Sequence, residues 1–500
     1  MSGPVEPGSL AALQAQHGPR YRWLLLMAVM VGTIASVMSS TIVNVAIPDL
    51  SRHFTLGQDR AQWVTSGFMA AMTASMLTTP WLLSRFGYRA VYAGCMWLLM
   101  AGGLLGGLSN DYTWVLIARV AEGLAAGVVQ PIAAIIILRA FAPHEQGRAS
   151  GLFGTGVVLA PALGPSVGGV LVDFFGWRSI FFMVVPFCLA SLWLARRYVP
   201  TGAPGGVAAG QDNTRLDWLG LLLATLGTVC LLNGLVALNG GDSNGGAHQS
   251  LPLLGAAAAL VLGFLAWQRR LGRRHQTGAV RPLMDLSLFK HRQFAMGCLV
   301  SLTYGAALFG STYLLPVYMQ VGLQLSPSLV GTILLPAGLA LALTIPAVGH
   351  LADHQPAHRL VSGGLLLLAA SFALMVTLDL GTPLIWMTAW SVLGRIGLGF
   401  ILPSLNLGAM RGMPHDTISQ GSSTVSFVRM LGGAAGVSLC GVALQWRLSA
   451  HGVALHDASQ GANRLAAFNE VFLMLAGVCT LAMLAAWKLR PATTHTPGKT

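Results

Sequence analysis

Charge is what this chain has least of. Only 9% of its 500 residues are Asp, Glu, Lys or Arg, 54% are hydrophobic, and mean hydropathy is +0.66. Soluble globular chains carry about 25% charged residues, so a soluble enzyme or binding module is excluded. The six cysteines (Cys95, Cys188, Cys230, Cys298, Cys440, Cys479) all lie in apolar runs. They offer neither a disulfide framework nor metal spacing and read as small hydrophobes. No G-x-x-x-x-G-K-[ST] segment is present to bind ATP. No A-x-A-like cleavage site follows the first apolar run, Trp23 to about Ala46, which is too long for a signal-peptide core and reads as a retained span. No loop could house a catalytic domain, and no nucleophile–base set falls within the spans, which argues against a membrane-embedded enzyme or sensor.

What the chain has in quantity is apolar runs of about 20 residues, each long enough to cross a hydrocarbon core roughly 30 Å thick. They fall near 23–46, 62–83, 90–108, 114–138, 149–170, 179–195, 217–236, 251–268, 293–317, 328–349, 360–379, 384–408, 418–444 and 469–487, giving fourteen spans. Glycine is abundant, with 61 residues, which suits close helix packing in lipid. An even count puts both termini on one side. The loops of that side hold Arg20, Arg22, Arg85, Arg89, Arg139, Arg148, Arg196, Arg197, Arg215, the run RRLGRRH at 269–275, Arg281, Lys290, Arg292, Arg359, Arg411, Lys488 and Arg490. The opposite loops hold Arg52, Arg60, Arg178, Arg447 and Arg464. This bias of roughly four to one predicts cytoplasmic termini, and it accounts for the net charge of +13 without nucleic acid.

Two of the spans echo two others. ARVAEGLAAGVVQP in span 4 aligns with GRIGLGFILPS in span 12, Arg119 on Arg395 and Gly123 on Gly399. The loop PWLLSRFGYR (80–89) after span 2 matches GHLADHQPAHR (349–359) after span 10. Repeats of this kind build transporter folds. The chain therefore divides into a tail 1–22, a six-helix bundle 23–197, a linker 198–292 with spans 7 and 8 inserted, a second six-helix bundle 293–490, and a tail 491–500. The linker stretch YVPTGAPGGVAAGQDNTRL (198–216) is Pro/Gly-rich and flexible in character.

Four ionisable side chains fall well inside spans: Arg119, Glu122, Arg395 and Arg429. Each central charge costs roughly 2.5–3.5 kcal/mol on a translocon scale, so such residues commonly mark transport pathways. Arg119 and Glu122, spaced i,i+3, share a helix face. A neutralised structural pair is the plain reading; a proton-coupling site is the functional one. In APALGPSVGG (160–169), Ala160, Gly164 and Gly168 form a small-residue stripe that admits a close neighbour, and Pro161 and Pro165 invite a bend. His350, Asp353, His354 and His358 have a metal-like look, but they sit in a short loop with no further ligand and read as solvated.

These motifs resemble the major facilitator superfamily, and within it the fourteen-span drug:proton antiporters of the EmrB/QacA type. STIVNVAIP (40–48), ARVAEGLAAG, APALGPSVGG, GWRSIFFMVVP (176–186), RPLMDLSLFKHRQF (281–294), FVRMLGGAAG (427–436) and FNEVF (468–472) carry the likeness along nearly the whole chain. The resemblance implies an all-α polytopic membrane protein of the major facilitator fold, with two six-helix bundles plus two inserted helices. It implies a substrate pathway that includes Ser39, Thr41, Asn44, Gln130, Arg395 and Arg429. It also implies conformational motifs at Arg85, Gly87 and Arg89, at Gly164, Pro165, Gly168 and Gly169, and at Gly349 and Asp353. This chain departs from the family in four places: Ser39 stands where an Asp is usual, Pro80 and Ser84 replace the Gly and Asp of the loop after span 2, Glu122 replaces a Gln, and Val184 an Asn. Any latch around Arg85 should therefore be weaker than its counterpart at Asp353.

The expected function is proton-coupled export of small amphipathic or lipophilic molecules by alternating access, in a bacterial cytoplasmic membrane. Glu122 with Arg119 would be the proton site, and no cofactor or metal is called for. Small-molecule substrates, protons and lipid are the partners; docking of a periplasmic adaptor stays open. The alternatives are a facilitator, or a dedicated exporter of one endogenous metabolite.

Overall fold

The computed structural model describes residues 10–56, 58–202, 214–238, 246–274, 280–379, 381–414, 416–452 and 461–489. The outermost tails and the segments 203–213, 239–245, 275–279 and 453–460 lie outside these, as do the side chains of Pro161 and Pro165. The chain is helical: α1 (Leu10–His17), α2 (Tyr21–His53), α3 (Gln58–Met76), α4 (Thr79–Phe86), α5 (Tyr88–Leu108), α6 (Tyr112–Ala140), α7 (Gln146–Phe175), α8 (Ser179–Phe182), α9 (Val184–Tyr198), α10 (Trp218–Leu238), α11 (Gly246–Arg274), α12 (Arg292–Val317), α13 (Pro327–Ala352), α14 (Ala357–Met375), α15 (Leu384–Met410), α16 (Ile418–Ala450) and α17 (Gly461–Trp487). Among the described residues, 12 helices are long and apolar enough to cross a membrane. With no water to satisfy backbone groups in lipid, helices are the form such runs must take.

Local chemistry sets the breaks. The second run divides at 77–78, just before Pro80, whose missing N–H is harmless in the first turn of α4. Gly87, at φ +79°, makes the tight turn into α5. By contrast α7 runs through Pro161 and Pro165 as one helix.

Two large apolar cores form. One joins α2, α5, α6 and α9 through Leu25, Tyr92, Val129 and Cys188; the other joins α12 through α17 through Tyr304, Leu365, Leu398 and Phe472. Between them α7 packs along α13, while α16 touches α3, α4 and α6. A smaller Met- and Phe-rich cluster bridges the two sides: Phe68, Met72 and Met76 of α3 meet Phe427 and Met430 of α16. The α10–α11 hairpin leans on α3 and α16. Its base is clasped by the buried Asp217, which accepts from the Gly220 amide (2.8 Å), Trp267 Nε1 (2.8 Å) and Gln268 Nε2 (2.6 Å).

Two expectations need correcting. The loop 445–468 is shorter than expected, because α16 reaches Ala450 and α17 starts at Gly461. Arg464 is consequently packed inside and donates to the Gly322 carbonyl at 3.3 Å. The histidine loop is not simply solvated either. His358 is buried with its ring 6.1 Å from that of Trp487, and Asp353 is engaged by another helix, as described next.

Candidate functional site

Three side chains from two helices form a closed polar knot. Arg119 Nη1 lies 2.5 Å from Glu122 Oε2, and the i,i+3 spacing on α6 brings them together. Ser39 on α2 joins both: its hydroxyl donates to the same Oε2 at 3.0 Å and accepts from Arg119 Nη1 at 2.9 Å. Arg119 Nε donates to the Val64 carbonyl at 3.3 Å, and its guanidinium lies 4.2 Å from the centroid of the Phe68 ring. Arg119 is 1% exposed and Glu122 0%. Glu122 Oε1 and Arg119 Nη2 are buried without a hydrogen-bond partner. Gly102 of α5 lets the carboxyl arm in, since a Cβ there would stand 2.7 Å from Glu122 Cγ. A buried pair is held against a desolvation penalty of several kcal/mol per ion, and each unsatisfied atom in it adds to that cost.

The second half repeats part of this arrangement. Arg395 on α15 donates from Nη2 to the Thr312 hydroxyl of α12 at 3.3 Å, as Arg119 on α6 donates to Ser39 of α2. Arg429 on α16 lies within electrostatic reach of the buried Tyr304 hydroxyl, and so does Arg395. Both arginines are partly exposed, and neither forms an ion pair with any described residue.

The expected pathway residues separate. Ser39 is buried inside the knot rather than lining open space. Thr41 is half-buried, donating to the Met38 carbonyl at 3.3 Å. Asn44 is exposed and accepts from Thr65 at 3.0 Å, and Gln130 points its amide at Met72 Sδ, 3.8 Å away. A separate apolar groove of about 720 Å³ opens on the other face of α6, lined by Leu116, Val120, Leu124 and Leu221, away from the knot.

The expected conformational residues separate too. Asp353 caps α7: Oδ1 accepts the Gly147 amide at 2.6 Å and Oδ2 the Arg148 amide at 3.0 Å. Helix N-termini favour carboxylates through unpaired amides and the macrodipole. Gly349 presses on Gly151, where an added Cβ would stand 2.5 Å from the Gly151 Cα. In the first half, Ser84 merely returns to its own helix at the Trp81 carbonyl (2.9 Å), and Arg89 Nε ties to the Val199 carbonyl (2.7 Å). Arg85 is exposed. Gly164 and Gly168 do meet α2, with Cβ positions 2.5 Å from Thr41 Oγ1 and 2.6 Å from Ile42 Cγ1. Gly169 meets nothing within 4 Å, so the packing stripe ends before it. Among the described residues, no group of three or more His, Cys, Asp or Glu could hold a metal ion.

The family model of the Major Facilitator Superfamily matches residues 29–437, and the chain belongs to that superfamily. It is 30% identical over 455 residues to a "Multidrug resistance protein B homolog" of Mycobacterium tuberculosis, covering 89% of this chain and 81% of that one. It is 27% identical over 427 residues to the "Multidrug transporter protein MdtP" of Bacillus subtilis, covering 85% and 76%. The solved proton:xylose symporter XylE shares the fold, with a TM-score of 0.66 at 12% identity over 94% of this chain and 96% of that one.

Proposed function

We propose that this chain is a fourteen-span, proton-coupled exporter of small amphipathic or lipophilic compounds, of the EmrB/QacA multidrug type. The observation that carries the reading is the Arg119–Glu122 pair sealed by Ser39 in the apolar interior. A carboxyl there can hold a proton or a guanidinium, and exchanging one for the other couples a proton to a movement of α6 against α2. The similarity to a multidrug resistance protein B homolog at 30% identity supports the substrate class. The Met- and Phe-rich cluster between the halves supports it too, because flexible thioethers and rings adapt to varied apolar cargo.

Beyond the 12 apolar helices, α3 with α4 and α7 supply two more spans, since both pack inside the bundle. The halves are six-helix bundles with α10 and α11 inserted. The charge bias supports cytoplasmic termini, and the proposed membrane is the bacterial inner one. In this orientation Asp353 and Gly349 close the cytoplasmic end, and releasing Asp353 from α7 would open it.

The test is efflux of a panel of dyes and antibiotics from cells, followed by transport in proteoliposomes with an imposed pH gradient. Gradient-dependent export of several unrelated compounds is expected. Flux that persists unchanged after the gradient is collapsed would instead indicate a facilitator.

A further inference from the structure

The repeat that sets Arg119 on Arg395 also sets Pro80 on Gly349 and Ser84 on Asp353. Asp353 caps α7, the fifth helix of the first half. The symmetric contact would run from Ser84 to α16, the fifth helix of the second half, and Ser84 does not make it. Its hydroxyl donates to the Trp81 carbonyl of its own helix, and Thr417 gives the head of α16 no side-chain cap. The linker engages the first turn of α16 instead: the buried Gln420 donates from Nε2 to the Pro282 carbonyl at 3.0 Å. From there hydrogen bonds cross to the first half. The Arg281 amide donates to the Arg215 carbonyl at 3.3 Å, and Trp81 Nε1 on α4 donates to the Thr214 carbonyl at 3.0 Å. The Met284 amide donates to Gln268 Oε1 at 3.3 Å, and Gln268 grips Asp217. Both linker ends are thereby fixed to the base of the α10–α11 hairpin.

The two halves hold this assembly unequally. On the second half it is packed: Leu288 is buried with Phe294, Met410 and Val425, and the Phe289 and Phe294 rings lie 5.2 Å apart. On the first half, α10 stands off across the groove of about 720 Å³, with Leu221, Thr225 and Val229 on one wall and Gly67, Gly94 and Val120 on the other. A Cβ at Gly94 would meet nothing within 4 Å, so this glycine leaves space rather than admitting a close helix. Leu283 and Met284 join the Met-rich cluster that both halves share, where flexible thioethers can repack as neighbours shift.

We infer that the α10–α11 hairpin and its linker ends form a strap carried by the second half. The Trp81–Thr214 bond is the latch it offers the first half, in place of the missing contact between Ser84 and α16. While the bond is made, the ends of α4 and α16 are held together. When it breaks, the strap travels with the second half, and the groove gives α10 room to move against the first. The inserted helices thus serve the conformational cycle. This rests on alternating access, but on neither the substrate class nor the proton site.

The test is double electron–electron resonance on the full-length protein in nanodiscs, with the native cysteines replaced. Spin labels are paired among three exposed positions, Arg196 on α9, Arg270 on α11 and Lys488 just after α17. The 196–488 distance reads opening at this end of the molecule. Trp81→Phe keeps a ring against Phe86 and removes the N–H. It should raise the open population about threefold to tenfold, the worth of one neutral hydrogen bond. Asp353→Asn should raise it too, and the double variant more than either. Between the two states the 270–488 distance should hold while 270–196 changes. Gln420→Met, which cuts the strap from α16, should broaden 270–488. A 196–488 distribution that responds to Asp353→Asn and not to Trp81→Phe would overturn the latch. A 270–196 distance that holds while 270–488 changes would overturn the strap, because the hairpin would then ride with the first half. A 196–488 distance that stays single-valued in every variant, at acid and alkaline pH alike, would sink alternating access itself, on which the strap depends.

Discussion

The carboxylate of Asp353 at the end of α13 accepts the backbone amide of Gly147 at the start of α7, joining the two halves of the molecule through a helix N-terminus. Because its second oxygen takes the Arg148 amide, Asp353→Ala removes two charge-assisted bonds at once. Those are worth about 1.5–3 kcal/mol each, so hydrogen exchange at 147–148 should accelerate by tenfold or more. Transport should fall in parallel, and Asp353→Glu should restore part of both. Unchanged exchange at these amides would mean the contact contributes nothing to closure.

The stripe on α7 makes a contrast between neighbours. Leucine at Gly164 collides with Thr41 on α2, whereas leucine at Gly169 enters open space. Gly164→Leu should abolish transport in a protein that still inserts, and Gly169→Leu should transport at close to the original rate. Transport assays on membranes matched for protein content decide this, and full activity in Gly164→Leu would remove α7 from the conformational machinery.

What was legible in the sequence was what depends on near neighbours along the chain. Apolar run length gives the membrane class, and the i,i+3 spacing of Arg119 and Glu122 gives their pairing. Partners from distant helices were hidden. Nothing local to Ser39 reveals that it bridges the pair, and nothing near Asp353 names the Gly147 amide. A buried Asp217 at the foot of α10 was equally silent, since its three donors come from both helices of the hairpin. The repeat alignment could have offered Glu122 opposite Leu398 as a clue to unequal charge in the two halves.

Orientation has its own test, at one position outside the described residues and one at the end of α11. The segment 241–246 should face outward and the basic run 269–274 the cytoplasm. A cysteine at position 243, in a background with the native cysteines replaced, should react with an impermeant maleimide added to intact cells. One at position 273 should react only after permeabilisation. Labelling of 243 from the cytoplasmic side alone would invert the topology.

The Arg119–Glu122 pair is where the proton should act. Burial favours the neutral carboxyl, a cation within about 4–6 Å favours the ionised one, and the two influences oppose each other at Glu122. On the proposed mechanism, moving Arg119 away would load a proton and returning it would expel that proton. Ser39 holds both groups, so a movement of α2 against α6 would disturb the exchange. Glu122→Gln keeps the shape and cannot titrate; it should bind substrate and lose acceleration by a pH gradient. Arg119→Ala should be more damaging, because breaking a buried pair costs about 3–5 kcal/mol and leaves a carboxylate without its cation. Ser39→Ala should fall between, weakening the link while sparing both charges. Returning a carboxylate from the other side, in Ser39→Asp with Glu122→Gln, should recover gradient dependence, since residue 39 already lies 2.9 Å from Arg119 Nη1. Proteoliposome export with and without an imposed gradient reads all four. Acceleration of Glu122→Gln to the degree of the unmodified protein would make the pair structural, and would move the search for the proton to Asp49, 3.6 Å from Arg52 at the far end of α2.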